Sequence, residues 1–193
     1  ADQAAALRGV LTSGARIESL VGPAGTGKSF VVGALAKAWQ DPGLWGGAER
    51  RVFGLAASQI ATDVLTGEGL RASNITRWLG AQERDDAAWR LRPGDVVVVD
   101  ESAMAATADL AAVHRYVEAA GAKLLLVGDH RQLAAVGAGG GMELLANAGA
   151  SYELAEARRF EHEWEREASL RLRAADETVL GEYHKHGRLL DAG

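Results

Sequence analysis

Apolar positions in this chain follow two spacings, one helical and one of short unbroken runs. Ala6, Leu7, Val10 and Leu11 recur every three to four residues, which predicts a helix over residues 3–13 closed by Ser13-Gly14. Ile17 to Val21 is a strand candidate, followed by a Gly-rich turn and a helix over residues 28–39. Asp41-Pro42-Gly43 and Gly46-Gly47 mark a loop. Val52 to Ala56 is the next strand, and a helix over residues 59–65 follows it with Ser58 placed to cap it. Val96 to Val99 is a continuous β-branched run, the signature of a strand buried on both faces. Leu124 to Val127 is a second such run, and residues 109–120 between them have an amphipathic helical pattern. Ala138 to Gly141 is a Gly-rich loop, Tyr152 to Leu154 a short last strand, and the chain from about Glu161 is charged and helical in pattern. Strands alternating with helices predict an α/β fold, a mainly parallel sheet flanked by helices on both faces.

Composition narrows the class. The 193 residues suit one domain or one with an appendage, and 48% hydrophobic residues can fill a core. There are no cysteines. Disulfides and thiolate metal sites are therefore excluded, which agrees with a bacterial cytoplasmic setting. No apolar run reaches the roughly 20 residues of a membrane helix. The start, Ala1-Asp2-Gln3, has neither a basic apolar leader nor an initiator Met, and it reads as the start of an excised piece. Net charge is −5, so a nucleic-acid site has to rest on local groups and backbone amides rather than on overall charge.

Gly22-Pro23-Ala24-Gly25-Thr26-Gly27-Lys28-Ser29 fits the phosphate-loop pattern G-x-x-x-x-G-K-[ST], and it lies between a predicted strand and a predicted helix. Glycines let backbone N–H groups turn inward on phosphate oxygens, and the helix N-terminus adds a positive dipole end. Lys28 is expected to reach the β and γ phosphates of ATP, with the Ser29 hydroxyl on Mg²⁺. The buried run Val96 to Val99 ends in Asp100-Glu101, which sets two carboxylates at the edge where α/β folds bind ligands. Asp100 is expected to hold Mg²⁺ and Glu101 to orient and deprotonate the attacking water. Gln132, just past the Leu124–Val127 strand, falls in reach of a γ-phosphate. No Asn-Lys-x-Asp guanine signature is present.

The order of these segments resembles motifs I, II and III of superfamily 1 DNA helicases: Gly22–Ser29, then Asp100-Glu101-Ser102-Ala103-Met104, then Gly128-Asp129-His130-Arg131-Gln132-Leu133. The last of these, with Val136 and the Gly-rich turn, looks like the RecD-like branch, superfamily 1B. Gln3 matches the adenine-reading Q motif. Gly54 to Ser58 resembles motif Ia, Asn74 to Leu79 motif Ib, and Leu154 to Phe160 motif IV, with Arg159 on the arginine-finger position. Trp164, Ala168, Leu170, Leu172-Arg173, Tyr183 and His186-Gly187-Arg188 are spaced as in the helicase part of MobF-class conjugative relaxases (TraA, TrwC and TraI-like).

The resemblance implies a RecA-like P-loop domain, helicase domain 1A, over residues 1–160, with 161–193 a helical segment leading to a second RecA-like domain outside these residues. Motifs V and VI are expected there, and a relaxase domain elsewhere in the same polypeptide. It implies single-stranded DNA as partner, with Ser58, Thr76 and Trp78 as contacts. From the residues alone, Ser58 reads equally as an N-cap, Trp78 as a core aromatic, and residues 80–93 as a small strand-separating pin or a loop. His184-Lys185-His186 reads as a solvated helix end. A RecD-like repair helicase, or a nucleotide-binding scaffold without useful turnover, remains an alternative.

Overall fold

Val96–Asp100, here β4, is buried at every one of its four valines. A strand apolar on both sides needs cover on both faces of its sheet. The computed structural model, which describes residues 2–23, 25–129 and 149–154 with scattered positions between Trp164 and His186, shows how that cover is supplied. Helices α1 (Asp2–Thr12), α2 (Lys28–Trp39) and α3 (Gln59–Gly67) pack on one face. There Val10, Val32, Leu35 and Leu65 meet Val96 and Val98. Helices α4 (Ile75–Glu83) and α5 (Thr107–Ala119) pack on the other, where Trp78, Leu110 and Val113 meet Val97 and Val99. Alternate valines of one strand therefore feed two cores, as the period-2 geometry of a strand requires.

The sheet contains β1 (Ile17–Val21), β2 (Val52–Ala56), β3 (Arg71–Asn74), β4, β5 (Lys123–Gly128) and β6 (Ala150–Glu153). Their spatial order is β3-β2-β4-β5-β1-β6, and every pairing is parallel. The register sets Val21 beside Gly128 and Ala56 beside Asp100. The strands thus end level, and the segments after β1, β2, β4 and β5 share one edge.

The elements predicted up to Leu154 are present: β1, α2 and β2 have the expected ends, and the others agree within two residues. Two elements are absent from the sequence reading, β3 and α4. Arg71-Ala72-Ser73-Asn74 has no apolar alternation, and among the described residues it pairs with β2 alone, at the sheet's border. Residues 80–93 contain no strand: they are the last turn of α4 and a series of turns. The Gly-rich loop at 138–141 lies outside the described residues, as does most of the chain after 154; Trp164, Glu167, Ala168, Arg171 and Lys185 within it are helical. The ring of His186 stacks on Trp164 with centroids 3.8 Å apart.

One buried ionic cluster ties α1 to the sheet. Glu18 of β1 is fully buried, and Lys123 of β5 approaches its carboxylate at 2.6 Å. The Lys123 ammonium also donates to the carbonyls of Val10 and Ser13 at the end of α1, where a cation complements the helix dipole. Tyr152 of β6 donates its hydroxyl to Glu18 at 2.9 Å. Burial, then the Glu18 carboxylate, pushes the Tyr152 phenol up to about 12. A buried pair needs such extra hydrogen bonds to offset its desolvation.

Candidate nucleotide-binding site

The phosphate loop joins β1 to α2 at the C-terminal edge of the sheet. Gly25 and Gly27 have φ of 83° and 84°, a region that a Cβ disfavours. Gly27 is also the N-cap of α2, with no side-chain cap of its own, so the first N–H groups of α2 are left to face a ligand. A Cβ on Gly22 would lie 2.8 Å from the Leu154 carbonyl oxygen and from Thr26 Oγ1. Both ends of the loop are held: Gly22 N–H donates to the Gly128 carbonyl at 3.1 Å, and Thr26 Oγ1 donates to the Pro23 carbonyl at 2.9 Å.

Lys28 folds back into the loop it opens from. Its ammonium donates to the Gly22 carbonyl at 2.6 Å and to the Pro23 carbonyl at 2.9 Å. The cation therefore already stands inside the loop, where a phosphate would meet it. Gln3 reaches the same loop from α1, donating its side-chain N–H to the Thr26 carbonyl at 2.8 Å. A Cβ on Gly27 would strike Gln3 Nε2 at 2.2 Å. Gln3 is 23 positions from Thr26, and only the docking of α1 brings them together.

Asp100 ends β4 on the same edge, half-buried, and its carboxylate accepts the Glu101 backbone N–H at 2.8 Å. Burial pushes the Asp100 carboxyl up from its ordinary range and the Glu101 charge adds to this, against the lowering effects of that hydrogen bond and of Lys28. A desolvated carboxylate within the field of Lys28 suits a cation ligand. Glu101 is exposed, with φ of 50°. Its carboxylate accepts the Ser58 hydroxyl at 3.2 Å. Ser102, next along, is fully buried and donates its hydroxyl to the Val127 carbonyl at 2.9 Å, fastening this turn to β5.

Gly22, Pro23, Gly25, Thr26, Gly27, Lys28, Ser29, Gln3, Asp100 and Glu101 thus gather on one sheet edge. Ala24, Gln132 and Arg159 lie outside the described residues. Of the DNA candidates, Ser58 is the N-cap of α3, its oxygen accepting the Ala61 N–H at 3.1 Å. Thr76 is exposed in the first turn of α4, behind the cap Asn74. Trp78 is corrected: it is 0% exposed, in edge-to-face contact with Tyr116 at 6.0 Å. A side chain sealed between α4, α5 and the sheet has no face for a base, so Trp78 belongs to the core. The Ser58–Glu101 contact and the Glu18–Lys123 pair were not foreseen. The charged residues inside otherwise apolar strands were the one available signal for the second.

Sheet order, crossover and phosphate loop define a RecA-like P-loop NTPase domain. The chain belongs to the AAA domain family, which it matches over residues 1–192. It is 31% identical over 185 residues to the conjugal transfer protein TraA of Rhizobium radiobacter, and 33% identical over 178 residues to TraA of Agrobacterium fabrum. The matches cover 91% of this chain but only 15% and 16% of those proteins. The expected kinship with TraA-like proteins is therefore observed. Among solved structures, the fold is shared with a Pif1 helicase studied for unwinding at forked double-stranded DNA, at a TM-score of 0.66 and 13% identity, over 98% of this chain and 52% of that one. Domain III of the Thermotoga maritima replication initiation protein DnaA matches at a TM-score of 0.52 and 13% identity, over 98% and 85% of the two chains. No helix among the described residues is long and apolar enough to cross a membrane.

Proposed function

We propose that this chain is the ATP-binding and ATP-hydrolysing first motor domain of a superfamily 1B DNA helicase, part of a conjugative relaxase–helicase acting in plasmid DNA transfer. The observation that carries this reading is the meeting of Lys28 and Gln3 on one phosphate loop, with Asp100-Glu101 on the same sheet edge. Kinship with the TraA proteins supports the conjugative setting over a repair helicase.

In this reading the loop amides and Lys28 bind the phosphates of ATP, and Gln3 reads the adenine. Ser29 and Asp100 hold Mg²⁺, which neutralises charge on the β and γ phosphates. Glu101 takes the proton of the attacking water. Gln132 and Arg159 complete the site at the γ-phosphate. Single-stranded DNA runs past Ser58 and Thr76. The remainder of the polypeptide supplies the second RecA-like domain.

Titration calorimetry with ATP·Mg²⁺ tests it. The wild-type chain is expected to bind, and Lys28→Ala to bind at least about tenfold more weakly, the scale of a lost charge-assisted contact. Unchanged binding in Lys28→Ala sinks the assignment. Phosphate release with and without single-stranded DNA then separates a motor domain from a scaffold without turnover.

A further inference from the structure

The elements that frame the phosphate loop meet a second time, toward the opposite end of the strands. At the loop, α1 brings Gln3 to the Thr26 carbonyl and β1 runs directly into Gly22. There β5 ends in Gly128, whose carbonyl accepts the Gly22 N–H, and β6 leads to Leu154, whose N–H donates to the Val21 carbonyl at 2.7 Å. Away from the loop, the same α1, β1, β5 and β6 are joined through three side chains. Lys123 opens β5, and its ammonium lies 2.6 Å from the Glu18 carboxylate of β1. It donates to the Val10 and Ser13 carbonyls at the end of α1, at 2.8 and 3.1 Å. Tyr152 of β6 donates to Glu18 at 2.9 Å.

Apolar packing by itself gives α1 a weak setting. The helix has 11 residues and fully buries two, Ala6 and Val10, with Leu7 and Leu11 half-buried beside them. Hydrophobic contact is non-directional, and side chains as short as Ala6 and Val10 offer little relief against sliding or turning of the helix. Hydrogen bonds to two particular carbonyls fix both its axial place and its rotation. The Tyr152 ring closes on the bare backbone of Gly9, where a Cβ would lie 2.2 Å from a ring carbon. Gln3 is two turns before Val10 on the same rigid helix, about 11 Å along its axis. A buried ion pair adds little net stability, so a gain in one arrangement over others is the use left to it here.

We propose that Glu18, Lys123 and Tyr152 are positioning residues for base selection. By fixing the end of α1, they set Gln3 where it holds the Thr26 carbonyl and pairs with adenine. The inference rests on the adenine reading of Gln3 given above.

Glu18→Gln combined with Lys123→Met removes the pair without leaving a lone buried charge, and the carboxamide still accepts the Tyr152 hydroxyl. Titration calorimetry of the 193-residue chain with ATP·Mg²⁺ and with GTP·Mg²⁺ reads the ratio of the two affinities. The double variant is expected to melt cooperatively and to narrow that ratio about fivefold, the scale of one net hydrogen bond. In a Gln3→Ala background the same double change is expected to leave the ratio where Gln3→Ala alone puts it, because nothing remains to be positioned. A further fall there, or an equal loss of affinity for both nucleotides with no change of ratio, marks a merely structural tie and overturns the proposal. Tyr152→Phe keeps the ring against Gly9 and removes the hydroxyl. It is expected to narrow the ratio about twofold, and it decides the question if the double variant does not fold. An unchanged ratio in these variants, while Gln3→Ala narrows it, overturns the positioning role and leaves the adenine reading standing. A ratio that Gln3→Ala itself does not change overturns both.

Discussion

Gln3 donates its side-chain N–H to the Thr26 carbonyl at 2.8 Å, joining the first turn of α1 to the phosphate loop. The same Nε2 would lie 2.2 Å from a Cβ on Gly27. Gln3→Ala is therefore expected to loosen the loop and weaken ATP binding by roughly fivefold, the scale of one net hydrogen bond. It should also narrow the preference for ATP over GTP, since a carboxamide can pair with the adenine amino group and N7. Gly27→Ala, which needs a left-handed φ and a place for its methyl group, is expected to lose nucleotide binding with helical content intact. Calorimetry with both nucleotides measures this. Equal ATP and GTP affinities, unaltered in Gln3→Ala, would leave Gln3 only a structural tie.

Glu101→Gln keeps the shape of the side chain and removes the base. Nucleotide affinity is expected to hold while turnover falls by about 10²-fold or more. Arg159→Ala, in a polypeptide extended to include a second RecA-like domain, is expected to cut turnover by roughly 10³-fold. Full turnover in that variant would show the motif IV match to be accidental. The 193-residue chain alone, with one parallel sheet among its described residues, is expected to give no ATP-dependent strand displacement, because unwinding in this reading needs two domains that close on nucleotide.

Asp100 offers a test by pH. Its carboxyl is raised, chiefly by burial, so the folded state resists its ionisation. A carboxyl raised in the folded state favours folding while protonated, and that contribution is lost as pH climbs through the folded value. Asp100→Asn, a mimic of the protonated form, is expected to raise the Tm of the metal-free protein at pH 7. The gain should shrink toward zero as pH drops below the ordinary aspartate value of 3.8. The same variant should lose the extra Tm that Mg²⁺ adds to nucleotide. Thermal melts across pH, with and without ATP·Mg²⁺, show either pattern; a lower Tm for Asp100→Asn at neutral pH contradicts the argument.

Trp78 is expected to matter for stability and not for DNA. Trp78→Ala empties a fully buried site and should cost about 3–5 kcal/mol. Trp78→Phe keeps most of the packing with Tyr116 and discards an indole N–H that has no hydrogen-bond partner. It should cost far less and leave oligonucleotide affinity unchanged. A marked loss of DNA binding in a folded Trp78→Phe protein would return the residue to the DNA site.

The sequence by itself determined the layers of this protein and the residue types at its phosphate loop. An unbroken Val96–Val99 run demands cover on two faces, and a G-x-x-x-x-G-K-S loop between strand and helix demands an anion, whatever surrounds them. It did not determine β3, because Arg71-Ala72-Ser73-Asn74 is a strand only by pairing with β2. Nor did it decide between two readings of Trp78, since a tryptophan one helical turn past a cap serves a core and a surface alike. Tertiary structure settled that by packing α4 and α5 over it. Only the sheet order brings Ser58 within 3.2 Å of Glu101, and only the docking of α1 sets Gln3 on Thr26. Local pattern encodes what a segment must bury; which distant polar groups meet depends on strand order and register, and these emerge when the whole sheet assembles.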